Sequence, residues 1–491
     1  MNLNHQQGKR SDVIAIVLSM LAAVAMFLGV VVPAQAQTFT VLYNFQGPNQ
    51  TNDGAYPLGL IQGTDGNLYG VTAAGGDQFD SGIFFKFSTS GTEKTLCNFY
   101  DAGACRNAQA PSANLVLGTS GSFYVGALDG EIIKLTTHSK LTVLYTNTNA
   151  IPKTSLILAS NGAFYGTTVN GGANNQGTIF KMTAAGKLTT LYSFCSVVQS
   201  GICMDGAQPN LALVQGSDGN LYGTTSIGGN DGVNAGYGTI FKITLTGTLT
   251  TIYNFPGFTQ SSSALVEGAD GNFYGTTAAG GSGKYSPGGI FFTITPSGAL
   301  TTLYNFCNQL NCTDGSQPSN IFLATDGNFY GITWYGGVNN NNQGTIFQFT
   351  PSGTLTTLHN FDGADGSGPN GGGTIMQDTD GTLFGTMQQG GAGWPTCSGS
   401  CVGTIFSLDM GLGPFVKTLP TSGKVKAAVK ILGTGLTGAT SVTFNGTEAT
   451  FKVVSSSEIT TNIPAGATTG AVKVVTAGGA TLTSNTIFQV P

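Results

Sequence analysis

Catalysis needs acids, bases or nucleophiles that converge, and this chain offers few. Outside the first 36 residues the only histidines are His138 and His359. His138 falls in a short turn, and His359 replaces a tyrosine in an outer strand, so neither should reach a central channel. The one acidic oddity is Glu267, on an inner strand where other repeats carry Gln62, Gln215 and Gln377; it is a ligand-contact candidate, or else a solvated channel residue. No catalytic residue is assigned. Asp53, Asp205, Asp314 and Asp365 recur in a loop, each followed by a proline (Pro57, Pro209, Pro318, Pro369). Their hard oxygens suit calcium, the only cofactor the composition suggests, or they form Asx turns. Trp334, Tyr335 and Trp394 are candidate aromatic platforms for a sugar ring or a protein hot spot, or else they cap the internal packing.

The eight cysteines lie as close neighbours: Cys97 with Cys105, Cys195 with Cys203, Cys307 with Cys312, and Cys397 with Cys401. No pair has CxxC spacing and no histidine adjoins one, so local disulfides are expected rather than a zinc site.

The N-terminus carries Lys9 and Arg10, an apolar run from Val13 to Val32, and then Ala34-Gln35-Ala36. That order is a signal peptide cleaved after Ala36, with an uncleaved membrane anchor as the alternative. Cleavage removes Lys9, Arg10 and Asp12 and leaves 16 basic against 22 acidic residues, a formal charge of −6. A chain without a basic patch lacks the main source of nucleic-acid affinity. With the signal removed, no membrane span is expected.

What positions these residues is a repeat. The phrase Asp-Gly-Asn-Leu-Tyr-Gly at Asp65 returns at Asp218, Asp270 and Asp326, with looser copies at Asn161, Asp380 and Ser120. Its equivalent aromatics are Tyr69, Tyr124, Tyr165, Tyr222, Tyr274, Tyr330 and Phe384, spaced 55, 41, 57, 52, 56 and 54 residues apart. Each repeat holds four short β-branched and aromatic runs bounded by Gly, Asp and Asn, with no helical period between them. The fold class is therefore all-β, a β-propeller of seven blades. The last repeat lacks a fourth strand, and Thr38 to Phe45 matches one, so an N-terminal strand should close the ring. Every long connection then falls on one end, the candidate binding face. The second repeat lacks the Gly-Gly loop of the others and should leave a notch there.

The phrase Asp218 to Thr225, the run Gly238 to Lys242 and Leu249 to Phe255 together resemble the GloVer tandem repeat of exported bacterial proteins. That resemblance spans about residues 38 to 410 and implies a secreted or surface location without an attached activity. More loosely, the blade is similar to those of streptogramin-lyase propellers. Their catalytic histidine has no counterpart here, which leaves that activity without a carrier. Val416 to Val490 resembles an IPT/TIG immunoglobulin-like domain through Val429 to Leu436, Val442 to Gly446 and Ile463-Pro464. The expected domains are a signal peptide at 1–36, the propeller at 37–411 and a small β-sandwich at 412–491. The expected function is extracellular binding or scaffolding, non-enzymatic, toward a polysaccharide or a surface protein; the alternative is a polysaccharide-directed lyase or hydrolase at the channel mouth.

Overall fold

Runs such as Thr239–Ile243 carry apolar side chains on both faces, so a sheet built from them must be covered twice. The computed structural model describes residues 37–47, 53–76, 80–99, 110–152, 155–230, 236–257, 259, 261, 263–338, 342–368, 373–395 and 401–491. The proposed signal segment, Cys105, Pro369 and Cys397 lie outside the described residues. Within them, Thr38–Pro491 forms one compact unit, and the only helix is a turn of 3-10 helix at Leu310–Cys312.

From Thr38 to Asp409 the described strands form seven four-stranded antiparallel sheets and one small two-stranded hairpin, Val198–Gln199 with Ile202–Cys203. The fourth is typical, an up-and-down run of Val214–Gln215, Leu221–Thr224, Thr239–Ile243 and Leu249–Asn254. In the seventh, Gly373–Gln377, Leu383–Met387 and Thr404–Asp409 are joined by the N-terminal strand Thr38–Asn44. That strand runs antiparallel to the third, with Thr38 opposite Asp409 and Asn44 opposite Thr404.

Aromatic wedges hold neighbouring sheets together. The residue after the fourth strand is Phe45, Phe99, Phe194, Phe255, Phe306 or Phe361 in six sheets, each at most 2% exposed. Their N–H groups donate to Gly403, Gly82, Gly177, Gly238, Gly289 and Gly344 at 2.9–3.0 Å, which sets a common register. Five of these rings then meet a third-strand phenylalanine of the next sheet, among them Phe194 with Phe241 at 5.3 Å, Phe306 with Phe347 at 5.4 Å and Phe45 with Phe85 at 5.6 Å; Phe99 instead shares a cluster with Ile133. Those third-strand rings lie over the glycine that follows the repeated tyrosine. A methyl group at Gly223 would sit 2.6 Å from Cζ of Phe241, and one at Gly275 would sit 2.6 Å from Cζ of Phe292. This glycine is a packing requirement rather than a turn residue.

The repeated Asp-Gly-Asn phrase forms the turn between first and second strands. Asp218 accepts from the Asn220 N–H at 3.0 Å and the Tyr222 hydroxyl at 2.9 Å. Asp65, Asp270 and Asp326 do the same with their own asparagine and tyrosine. At this short-turn end, polar side chains of four first strands tie their sheets to the one before. Gln215 binds Ser160, Gln377 binds Thr325, and Gln62 of the first sheet donates to Thr379 of the seventh at 2.8 Å.

Beyond Asp409 two further four-stranded sheets pack around Val429, Ile431, Val442, Phe444, Ile459 and Val472. This C-terminal module seats on the short-turn end of the first, second and seventh sheets. Ser457 Oγ donates to the Thr64 carbonyl at 2.9 Å, Thr434 and Thr379 hydroxyls share a bond at 2.8 Å, and Leu432 joins Leu117 and Leu135 in one apolar cluster. Lys417 Nζ donates to the Gln377 carbonyl at 2.6 Å. Beside it Asp378 is buried, at a position occupied by Gly63, Gly118, Ala159, Gly216, Gly268 and Ala324 in the other turns. Burial pushes the Asp378 carboxyl up to about 7, opposed by Lys417 and assisted by Asp380.

Two outcomes follow from this packing. Gly223→Ala should destabilise the protein by about 1–3 kcal/mol, read as a lower melting temperature, because the added methyl displaces Phe241. The raised Asp378 value means that its contribution to stability is complete below about pH 4 and is lost as pH rises toward 7. Asp378→Asn should therefore leave stability near pH 4 unchanged and raise it at pH 8 by about 1–3 kcal/mol, measured by denaturant melts across that range.

Candidate functional site

The end opposite the C-terminal module carries the connections between second and third strands and those between sheets. Four connections between sheets are built alike. Asp314 accepts from the Tyr304 hydroxyl at 2.7 Å, the Asn308 N–H at 2.9 Å and the Gln309 N–H at 3.2 Å. Asp205 accepts from Tyr192 at 2.7 Å and from the N–H groups of Ser196 and Val197. Asp53 accepts from Tyr43, Gln46 and Gly54. In the fourth case His359 takes the tyrosine's place, 2.6 Å from Asp365, and stacks on Phe39. Each aspartate thus pins the chain leaving a fourth strand to that strand's own aromatic side chain.

The electrostatics follow from burial and these bonds. Burial chiefly raises the Asp53 carboxyl, while for Asp365 the bonds from His359 and Asp362 outweigh burial and hold it below the ordinary carboxylate range. Burial and the facing Asp314 push the Tyr304 hydroxyl up, and burial takes Tyr192 to about 12. These tyrosines therefore stay protonated and remain donors. The four aspartates sit in separate connections, and no group of three or more His, Cys, Asp and Glu that could hold a metal ion occurs among the described residues.

After each aspartate comes a glycine, a small residue and a residue that donates across to the preceding sheet: Tyr56 to Val402 at 2.7 Å, Gln208 to Gln176 at 2.8 Å, Gln317 to Gly288 at 2.7 Å. All three adopt positive φ, between 54° and 58°. Cys195–Cys203 and Cys307–Cys312 are disulfide-bonded and close the loops leaving the third and fifth sheets. Cys97 and Cys401 stand on this same end.

The residues singled out by type are placed as follows. Trp334 and Tyr335 end the second strand of the sixth sheet, and Trp394 lies in the matching loop of the seventh; all three are half-buried. Gly363 packs on the Trp394 indole, and the backbone of Trp334 supports Gly368. The tryptophans therefore flank one connection, with the ring of Trp394 partly committed to it. Glu267 is not on this end. It caps the short turn of the fourth sheet, accepting the Ser217 N–H at 2.9 and 3.0 Å and the Ser217 hydroxyl at 2.6 Å, as Gln215 and Gln377 do for their neighbours. It is thus neither free in the channel nor beside the long loops. His138 lies in the turn after the second sheet's third strand, its ring beside the Thr137 hydroxyl.

Reading by residue type missed the exposed apolar side chains of the long-loop end: Tyr56, Leu128, Val197, Val198, Ile227, Tyr285, Leu310 and Val338. Outside the C-terminal module, every large apolar side chain exposed among the described residues lies on this end. One signal was available: Val197, Val198 and Leu310 stand between cysteines only 8 and 5 positions apart, too tight to turn them into a core.

Comparison with known proteins accounts for this architecture. The model of the Gloeobacter/Verrucomicrobia repeat matches residues 28–195, 126–286 and 260–447. The chain belongs to this repeat family. The IPT/TIG domain model matches residues 415–490, the C-terminal module. No curated protein matches. Among solved structures, virginiamycin B lyase from Staphylococcus aureus is 16% identical with a TM-score of 0.49, covering 76% of this chain and 99% of its own. A streptogramin B lyase is 17% identical with a TM-score of 0.47, covering 76% and 97%. A fungal alcohol oxidase of the AA5 family, in complex with copper, is 15% identical with a TM-score of 0.51, covering 92% and 98%. At these identities the likeness concerns fold alone: GloVer-type repeats in a propeller-like all-β arrangement, followed by a TIG domain. No helix among the described residues is long and apolar enough to cross a membrane.

If Asp314 organises its loop as described, Asp314→Ala should leave three donors unpaired and cost about 1–3 kcal/mol of stability, measured by calorimetry.

Proposed function

We propose that this chain is an exported, non-enzymatic binding or surface-scaffold protein whose long-loop end meets an extracellular glycan or protein. In this reading residues 1–36 are a cleaved signal peptide, residues 37–411 a seven-bladed propeller closed by the strand Thr38–Asn44, and residues 412–491 the IPT/TIG module. The observation that carries it is the contrast between the two ends. One is occupied in part by the C-terminal module, and the other presents uncovered apolar side chains, with Leu310 62% and Tyr285 46% exposed. Apolar side chains held exposed on the loops of a rigid scaffold support recognition. Few charges accompany it, which favours a neutral partner over a polyelectrolyte. Trp334, Tyr335 and Trp394 would contribute at the border between the sixth and seventh sheets.

A glycan array probed with the exported protein, with and without calcium, tests this reading when products are examined on every hit. Binding without turnover is expected, weakened about tenfold by Tyr285→Ala and less by Trp394→Ala. Calcium should change little, because Asp53, Asp205, Asp314 and Asp365 already accept several hydrogen bonds each. A cleaved product would overturn the reading in favour of a lyase or hydrolase. Silence on every glycan would assign the face to a protein.

A further inference from the structure

The second sheet breaks the wedge rule. Its fourth strand, Leu141–Thr146, is followed by Asn147, whose N–H donates to the Gly130 carbonyl at 3.0 Å, the same bond the six wedge phenylalanines make. Asn147 therefore stands at the wedge position without a ring. Its amide does not turn into the vacated space: Nδ2 donates to the Tyr145 hydroxyl at 3.2 Å and Oδ1 accepts from the Asn149 N–H at 3.1 Å. In the neighbouring third sheet Phe180 occupies the place of Phe85, Phe241, Phe292, Phe347 and Phe406, each of which meets a wedge ring at 5.3–6.0 Å.

Where the ring is missing there is a cavity of about 60 Å³, lined by Ile132, Asn147, Pro152, Thr168, Phe180 and Leu188 among others. Much of its lining, Asn147, Ala150, Pro152, Thr168 and Thr178, belongs to the long-loop end, where the repeats differ. In the fifth, sixth and seventh sheets a Gly-Gly loop lies over the end of the fourth strand, held there by the Oδ1 atoms of Asn305, Asn360 and Asn44. The second sheet has only the turn Leu128-Asp129-Gly130 at that place, so among the described residues no Gly-Gly loop lies over the end of its fourth strand. This is the notch expected from the short second repeat.

We propose that this inter-sheet cavity is a binding site for a small monocyclic aromatic molecule of the phenol class. The other six sheets show what the position accepts, since each seats one benzyl group there. Phe180 offers a ring wall that favours an edge-to-face partner over an aliphatic one of equal size. Ile132 and Leu188 supply apolar contact, while the Tyr145 hydroxyl, which accepts from Asn147, lines the same space and can donate to a ligand with one polar substituent. The site is separate from the partner proposed for the exposed loops, and its test does not depend on that partner.

Phenol and fluorobenzene are titrated against the full chain by ligand-observed NMR, with melting temperature as a second readout, and cyclohexanol as the aliphatic control. Saturable aromatic binding with Kd of about 1 mM or tighter is expected, and cyclohexanol should bind about tenfold more weakly. Asn147→Phe places the missing ring in the cavity, so it should raise the melting temperature and weaken phenol at least about tenfold. Ala150→Leu narrows the lining from the loop and should also weaken phenol, which decides the matter if Asn147→Phe fails to fold. No saturable aromatic binding by the natural chain, equal binding of cyclohexanol, or unchanged phenol affinity in a folded variant would each overturn the proposal.

Discussion

A sheet that is apolar on both faces is stable only between two others, and the phenylalanine that follows each fourth strand is where this chain concentrates that requirement. Burying such a ring removes enough apolar surface to contribute about 1.5–3 kcal/mol. The wedge dictates its surroundings: a second ring in the third strand of the next sheet, and a glycine in the second strand over which that ring can lie. The most regular letters of the repeat, Tyr, Gly, Phe and Phe, therefore belong to one packing unit and not to a ligand site. Once six such wedges hold the sheets, the loops at either end are free to vary.

The two ends of the sheets use that freedom differently. At the short-turn end, the Asp-Gly-Asn turns leave little side chain to present, and bonds from Gln62, Gln215, Glu267 and Gln377 link neighbouring turns. The C-terminal TIG module settles on this end through Ser457, Thr434 and Leu432. At the long-loop end, aspartates clamped by tyrosine or histidine give each connection a rigid root, and two disulfides shorten the loops above. A rigid root allows an apolar side chain such as Leu310 or Val197 to stay exposed without the loop collapsing over it.

Much of this was legible in the residues. Four strand-like runs per repeat and the pairing of Thr38–Asn44 with the last sheet could both be argued from pattern, because each depends on local chemistry or on comparing repeats. The link that Glu267 makes between turns was not legible, because its partner, Ser217, is 50 positions away in a turn of another sheet. Trp334 and Trp394 drew notice by type, yet their surroundings are set by a connection between two sheets that no local pattern describes. The exposed valines and leucine went unremarked for the opposite reason, since their types resemble those of the core.

The sequence by itself determined the repeat unit, the all-β class, the two kinds of end and the change of domain near Met410, since all of these follow from the period, the turn chemistry and the apolar pattern. Only the tertiary structure decided which end the TIG module covers, that the four recurring aspartates are spent on their own loops, and that Asn147 leaves a cavity rather than filling it. Those outcomes depend on which side chains meet across sheets distant in sequence, and on where a half-buried amide turns for its hydrogen bonds.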